Sequence, residues 1–144
     1  MSTLDLTKAS KRSPWFLLLV LTLSACSANK AKNLAENGVT RFHEQLNAAQ
    51  YNEIYSHATD AFQKSGTEPE ITEFLSAVHR KLGNAKGAKQ QSFFVNFGTA
   101  GTNVTLIYQT DFNNGPATEQ FVWRVEDEAL LVDYRIDSRV LITK

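Results

Sequence analysis

Val104-Thr105-Leu106-Ile107-Tyr108-Gln109-Thr110-Asp111-Phe112-Asn113-Asn114-Gly115-Pro116-Ala117-Thr118-Glu119-Gln120-Phe121-Val122-Trp123-Arg124-Val125 is the stretch whose reading decides the fold. Apolar residues alternate with polar ones on both sides of Asn113-Asn114-Gly115-Pro116. That is the period of a half-buried strand, and the central tetrapeptide is a strong turn signal. Two similar runs flank it, so strands are expected near Gln90–Phe97, Asn103–Phe112, Ala117–Val125 and Leu130–Ser138. Short links between alternating strands favour an antiparallel meander.

Register follows from requiring one apolar face. Pairing Phe112 with Ala117, Val125 with Leu130 and Phe97 with Val104 gives three inner rows. They are Phe93/Tyr108/Phe121/Tyr134, Val95/Leu106/Trp123/Val132 and Phe97/Val104/Val125/Leu130. A one-residue slip would scramble that agreement. A fourth, polar row of Gln91/Thr110/Glu119/Ile136 closes one end. The opposite face then shows Phe94, Ile107 and Val122 in one row, with Leu131 diagonal to Val122.

Upstream, the apolar period changes to that of helices. Leu34, Ala35, Val39, Phe42, Leu46 and Ala49 mark a helix from about Asn33 to Ala49. Tyr51, Ile54, Tyr55, Ala58 and Phe62 mark a second, Tyr51 to Phe62. A third starts at the capping box Thr67-Glu68-Pro69-Glu70, buries Ile71, Phe74, Leu75, Val78 and Leu82, and stops at Gly83. The fold class read from these periods is α+β: three N-terminal helices packed on a four-stranded antiparallel meander, since nothing else in the chain can cover the sheet.

The N-terminus has another character. Lys8, Lys11 and Arg12 precede Trp15-Phe16-Leu17-Leu18-Leu19-Val20-Leu21-Thr22-Leu23. A basic segment, a short apolar core and small residues form the signature of a secretory signal, and the run is shorter than the roughly 20 residues that span a bilayer. Leu23-Ser24-Ala25-Cys26 at its end resembles the lipobox of bacterial lipoproteins. The resemblance implies a signal peptide over 1–25, diacylglyceryl on the Cys26 thiol, cleavage before it and acylation, such as palmitate, of the new amine. Cys26 is the one cysteine, so no disulfide competes for it. Ser27, rather than Asp, follows it, which by the same resemblance implies the outer membrane, facing the periplasm. Residues 26–32 read as a short lipidated tether, roughly 20 Å when extended, ahead of a domain over 33–144. Without the leader the chain keeps 12 of its 15 basic and 14 of its 15 acidic residues, a balance of −2. No basic surface argues for nucleic acid.

The order of helices and strands resembles the nuclear-transport-factor-like cone, the cystatin-like α+β fold. Phe42 to Phe62, Ile71 to Gly83 and the four strands carry the likeness. Ala49-Gln50-Tyr51-Asn52-Glu53-Ile54-Tyr55 with Ala58 and Phe62, together with Phe74-Leu75 and Arg80-Lys81-Leu82-Gly83, is similar to small bacterial lipoproteins of unknown function in that superfamily. The likeness implies a curved sheet, but a fold does not carry a function.

Chemistry is sparse. Glu119 is the one inward carboxylate, a candidate base if an apolar cavity surrounds it and a plain rim residue otherwise. Tyr55, Tyr108, Phe121, Trp123 and Tyr134 are candidates for lining a pocket in the cone, or for plain core. Phe94, Ile107, Val122 and Leu131 are candidates for a partner surface, unless Val140-Leu141-Ile142 folds over them. His43, His57 and His79 have no metal-ligand spacing, and no phosphate-binding loop is present. Neither metal nor cofactor is expected. The reading is a membrane-anchored envelope lipoprotein of non-catalytic type that binds a protein partner or a small apolar ligand. Two alternatives stand beside it: an isomerase- or dehydratase-like enzyme using Glu119, and a homodimer formed through the outer sheet face.

Overall fold

The computed structural model describes residues 15–143, with backbone alone for 15–26. The rest of the segment expected to be a signal peptide and the thiol of Cys26 therefore lie outside the described residues. Helix α1 (Trp15–Asn47) is followed by α2 (Tyr51–Ser56), α3 (Asp60–Gln63) and α4 (Glu68–Leu82). Strands β1 (Ala85–Gly98), β2 (Gly101–Phe112), β3 (Gly115–Val125) and β4 (Ala129–Asp137) come next, and α5 (Arg139–Ile142) ends the chain. The strands form one open antiparallel sheet in the order β1-β2-β3-β4. Helices cover one face, so the class is α+β.

Three helix expectations change. Residues 27–32 are not an extended tether: α1 runs through them and Ala31 is buried in the core. The helix expected over Tyr51–Phe62 is broken at His57-Ala58-Thr59. There the Thr59 N–H and Oγ1 both donate to the Leu131 carbonyl of β4, and Thr59 Oγ1 accepts from the Phe62 N–H to cap α3. A hydrogen bond to the sheet outcompetes helix continuation. Helix α4 keeps its expected bounds and capping box and ends at Gly83 with φ of 76°, but Phe74, expected on its buried stripe, is 45% exposed.

Sheet register also differs. Strand β2 sits two residues away from the expected alignment on both neighbours, pairing Phe93 with Leu106, Val95 with Val104, Leu106 with Phe121 and Val104 with Trp123. A slip of two keeps every side chain on its face, which is why the face assignments survive on β2 and β3. Phe121 faces Tyr134 as expected, but Trp123 faces Leu131 instead of Val132, across an irregularity that leaves Val132 as the extra residue of β4. That extra residue turns Leu131 inward, where it is 2% exposed. Leu131 is thus core and not part of an outer surface, while Leu130 and Val132 are not on the buried rows. Strand β1 starts at Ala85, before the expected Gln90, because Asn47 clamps it. Asn47 Nδ2 donates to the Ala85 carbonyl, and its Oδ1 accepts the Ala85 N–H.

The core lies between α1 and the middle of the sheet. Phe42, Leu46, Leu75, Leu82, Leu106 and Phe121 are the large apolar side chains buried almost completely. Phe42 meets Phe121 edge-on with ring centres 5.1 Å apart, and Phe121 stacks on Trp123 at 6.1 Å. Gly38 lets α1 approach this layer: a Cβ there would lie 3.1 Å from the Trp123 ring.

Candidate functional site

Glu119 lies on the inner face of β3 between Tyr108 and Ile136 of the neighbouring strands. It is wholly buried. Burying a carboxylate among aromatics is costly unless donors replace its water. Three do. Thr110 Oγ1 donates to Oε2 at 2.6 Å, Tyr134 Oη donates to Oε1 at 2.7 Å, and His43 Nε2 lies 2.7 Å from Oε2. Thr110 is opposite Ala117 and reaches Glu119 diagonally. Tyr134 is held protonated well beyond the ordinary tyrosine range, first by burial, then by the Glu119 charge and the hydrogen bond to it.

His43 comes from α1, and its side chain is 12% exposed. Its ring packs edge-on to Phe112 and Phe121, with centres 6.3 and 5.8 Å away. The imidazole brings either a positive charge or a single N–H to the carboxylate, depending on where the proton sits. The pair ties α1 to β3 across 76 residues of sequence.

A groove of about 410 Å³ opens beside this cluster, between α1 and the start of β1. Its wall includes Glu36, Thr40, His43, Glu44, Lys86 and Tyr108. Tyr108 is raised above the ordinary tyrosine range by burial and then by the charge of Glu36. Glu119 is not in the groove wall and meets it through His43. With Nε2 turned to Glu119, Nδ1 is the remaining polar atom of the ring.

The pocket candidates are not brought together around a cavity. Phe121 is 0% and Trp123 3% exposed, and they pack with Phe42 and Tyr134 as core. The space between Gly38, Phe42, Trp123 and Leu131 is about 10 Å³, near one water's worth. Tyr55 turns to the Gln63 carbonyl at 3.5 Å. Of the five, Tyr108 alone meets the groove. The Trp123 indole N–H is buried with no acceptor among the described residues.

On the outer face Phe94 pairs with Thr105, which pairs with Val122, while Ile107 lies one step along the strand. The expected single row is therefore a diagonal cluster. The C-terminal segment does not cover it: α5 docks on α4, with the Lys81 ammonium donating to the Leu141 carbonyl at 2.9 Å.

His43 is the residue that sequence reasoning missed. Its position, four after Val39 and three before Leu46, falls on the edge of the apolar stripe of α1, and that spacing was the available signal. Among the described residues no cluster of His, Cys, Asp and Glu has the makings of a metal site, and no helix is long and apolar enough to cross a membrane.

The fold and site define an α+β domain whose helices cover one face of an open antiparallel sheet around a buried, fully hydrogen-bonded carboxylate. No protein-family model and no curated protein sequence matches the chain.

Proposed function

We propose that the protein is a bacterial envelope lipoprotein of non-catalytic type, anchored through lipid on Cys26 to the outer membrane on its periplasmic side. It holds a protein partner on the outer face of its sheet. The anchor rests on the lipobox-like sequence ahead of Cys26. The partner reading rests on one observation: the helices pack against the opposite face, so among the described residues nothing covers the half-buried Ile107 and Val122. A small apolar ligand inside the cone is disfavoured by the packed Phe42, Phe121, Trp123 and Tyr134. Glu119 is fully buried and its oxygens already accept from Thr110, Tyr134 and His43, which disfavours a role for it as a base.

The test has two parts. Metabolic palmitate labelling is expected for the wild type and lost in Cys26→Ser. A photo-cross-linking residue at Ile107 or Val122 is expected to give a protein adduct in intact cells, while one at the equally half-buried Thr72 on α4 gives none. An adduct to a second copy of the chain assigns the face to a homodimer instead. Adducts from Thr72 but not from the sheet overturn the proposal.

A further inference from the structure

Strand β1 is an edge strand, and its second half carries Phe93, Phe94 and Phe97 at 52, 65 and 57% exposure. Phe94 points to the outer face. Phe93 and Phe97, opposite Leu106 and Thr102, belong to the inner face but are only partly covered, by Lys32 and the neighbouring residues of α1. Aromatic residues on both sides of one edge, next to a two-residue turn, form a wedge. What such a wedge meets is decided by its neighbours.

The neighbours are the first described side chains of α1. Ser27, Lys30, Ala31 and Leu34 share a recess of about 150 Å³ with Phe97, Thr102, Val125 and Glu126. The Lys32 ammonium, paired with Glu36, lies 5.2 Å from the centre of the Phe93 ring. Because α1 is continuous here, there is no slack between Cys26 and this corner. At 1.5 Å per residue, six residues of helix span about 9 Å.

We infer that the β1–β2 hairpin end is a membrane-contacting surface, with Phe93, Phe94 and Phe97 seated at headgroup level beside the lipidated Cys26. This rests on the anchor proposed above. A lipid surface is favoured over a strand-adding protein because the wedge ends where the anchor begins. Aromatic rings with lysines beside them also suit the membrane–water interface. The unpaired edge amides remain hydrated at that depth, so no deeper insertion is required. Asp127 and Glu128 in the β3–β4 turn, with Glu126 at the rim of the recess, oppose close approach of the β4 side to anionic lipid. The sheet therefore tilts with β1 down and β4 away, which leaves Ile107 and Val122 facing the periplasm.

The test uses the full acylated protein in phosphatidylethanolamine–phosphatidylglycerol vesicles. An environment-sensitive dye is placed at Ala100→Cys in the β1–β2 turn, or at Lys86→Cys near the far end of β1, about 35 Å away at strand rise. Acylation of Cys26 leaves the introduced thiol as the labelling site. Nitroxide lipids are expected to quench the Ala100 dye several-fold more than the Lys86 dye, and Phe93→Ser/Phe97→Ser to abolish the difference. A protein that floats with the vesicles while the Ala100 dye stays in water overturns this inference and leaves the anchor standing. A dye shielded from water yet unquenched means that protein covers the edge, and also overturns it. A protein that neither floats nor carries lipid overturns the anchor, and the inference with it.

Discussion

Strands β1 and β3 lie two places apart in one sheet. Every second residue of β3 from Ala117 to Val125 is buried, whereas β1 has no buried residue along its 14. β3 largely alternates apolar and polar side chains, and β1 places Phe93, Val95 and Phe97 on one face in the same way. The difference is what stands above them. Helix α1 crosses the middle of the sheet, with Gly38 on Trp123 and His43 on Glu119, and meets β1 through the Asn47 clamp at Ala85 and through Lys32 beside Phe93. Alternation therefore reports which face a residue takes, and a covering element decides whether that face is core.

The contrast breaks first on stability. Phe121→Ala is expected to cost about 3–5 kcal/mol in denaturant unfolding, the usual range for a large buried aromatic. A cost below about 1 kcal/mol would mean that the β3 face is not core. Glu119→Ala follows, at about 3 kcal/mol, because Thr110, Tyr134 and His43 are left with donors facing a void. Adding Tyr134→Phe and Thr110→Val is expected to restore part of the loss. A loss equal to that of an ordinary surface carboxylate would contradict the buried clasp. Next is Gly83→Ala, at about 1–3 kcal/mol, since φ is +76° and a Cβ would meet Asn113 Cβ at 2.7 Å.

Those costs measure how well the structure was read in advance. Most of the three helical stripes, though not Ala49 past the end of α1 nor the exposed Phe74, the capping box at Thr67, the four strands and the inward Glu119 were legible, because each is a periodic or local signal. Register was not, because a two-residue slip preserves faces. The reversal of Leu131 was not, because a single extra residue, Val132, leaves no mark in alternation. The exposure of Phe93 and Phe97 depends on where α1 ends up, which no local pattern states. His43 was passed over because its partner is 76 positions away. Trp123 follows the predicted face, with its indole N–H buried and without an acceptor among the described residues.

Smaller effects sharpen the same contrast. Tyr134 ionises near 10.0 when unfolded and only well above that when folded. Its contribution to stability is therefore complete below about pH 10 and lost as pH rises from there toward the folded-state value. Tyrosinate absorbance followed through alkaline unfolding is expected to show one tyrosine appearing with the unfolding transition, and Tyr134→Phe is expected to flatten that pH dependence. Smallest of all, Phe97→Ala on β1 is expected to change unfolding free energy by within about 0.5 kcal/mol, as at a surface site.

Hydroxyl-radical footprinting read by mass spectrometry compares the two regions in one experiment. It would be applied to the unacylated Cys26→Ser chain in buffer and to the wild type in isolated envelopes. Phe42 and Phe121 should resist oxidation in both, while Phe93, Phe94 and Phe97 should react in buffer and be shielded in envelopes. If the three β1 phenylalanines react equally in both settings, or resist oxidation in buffer as Phe121 does, the division between a packed face and a presented edge is contradicted.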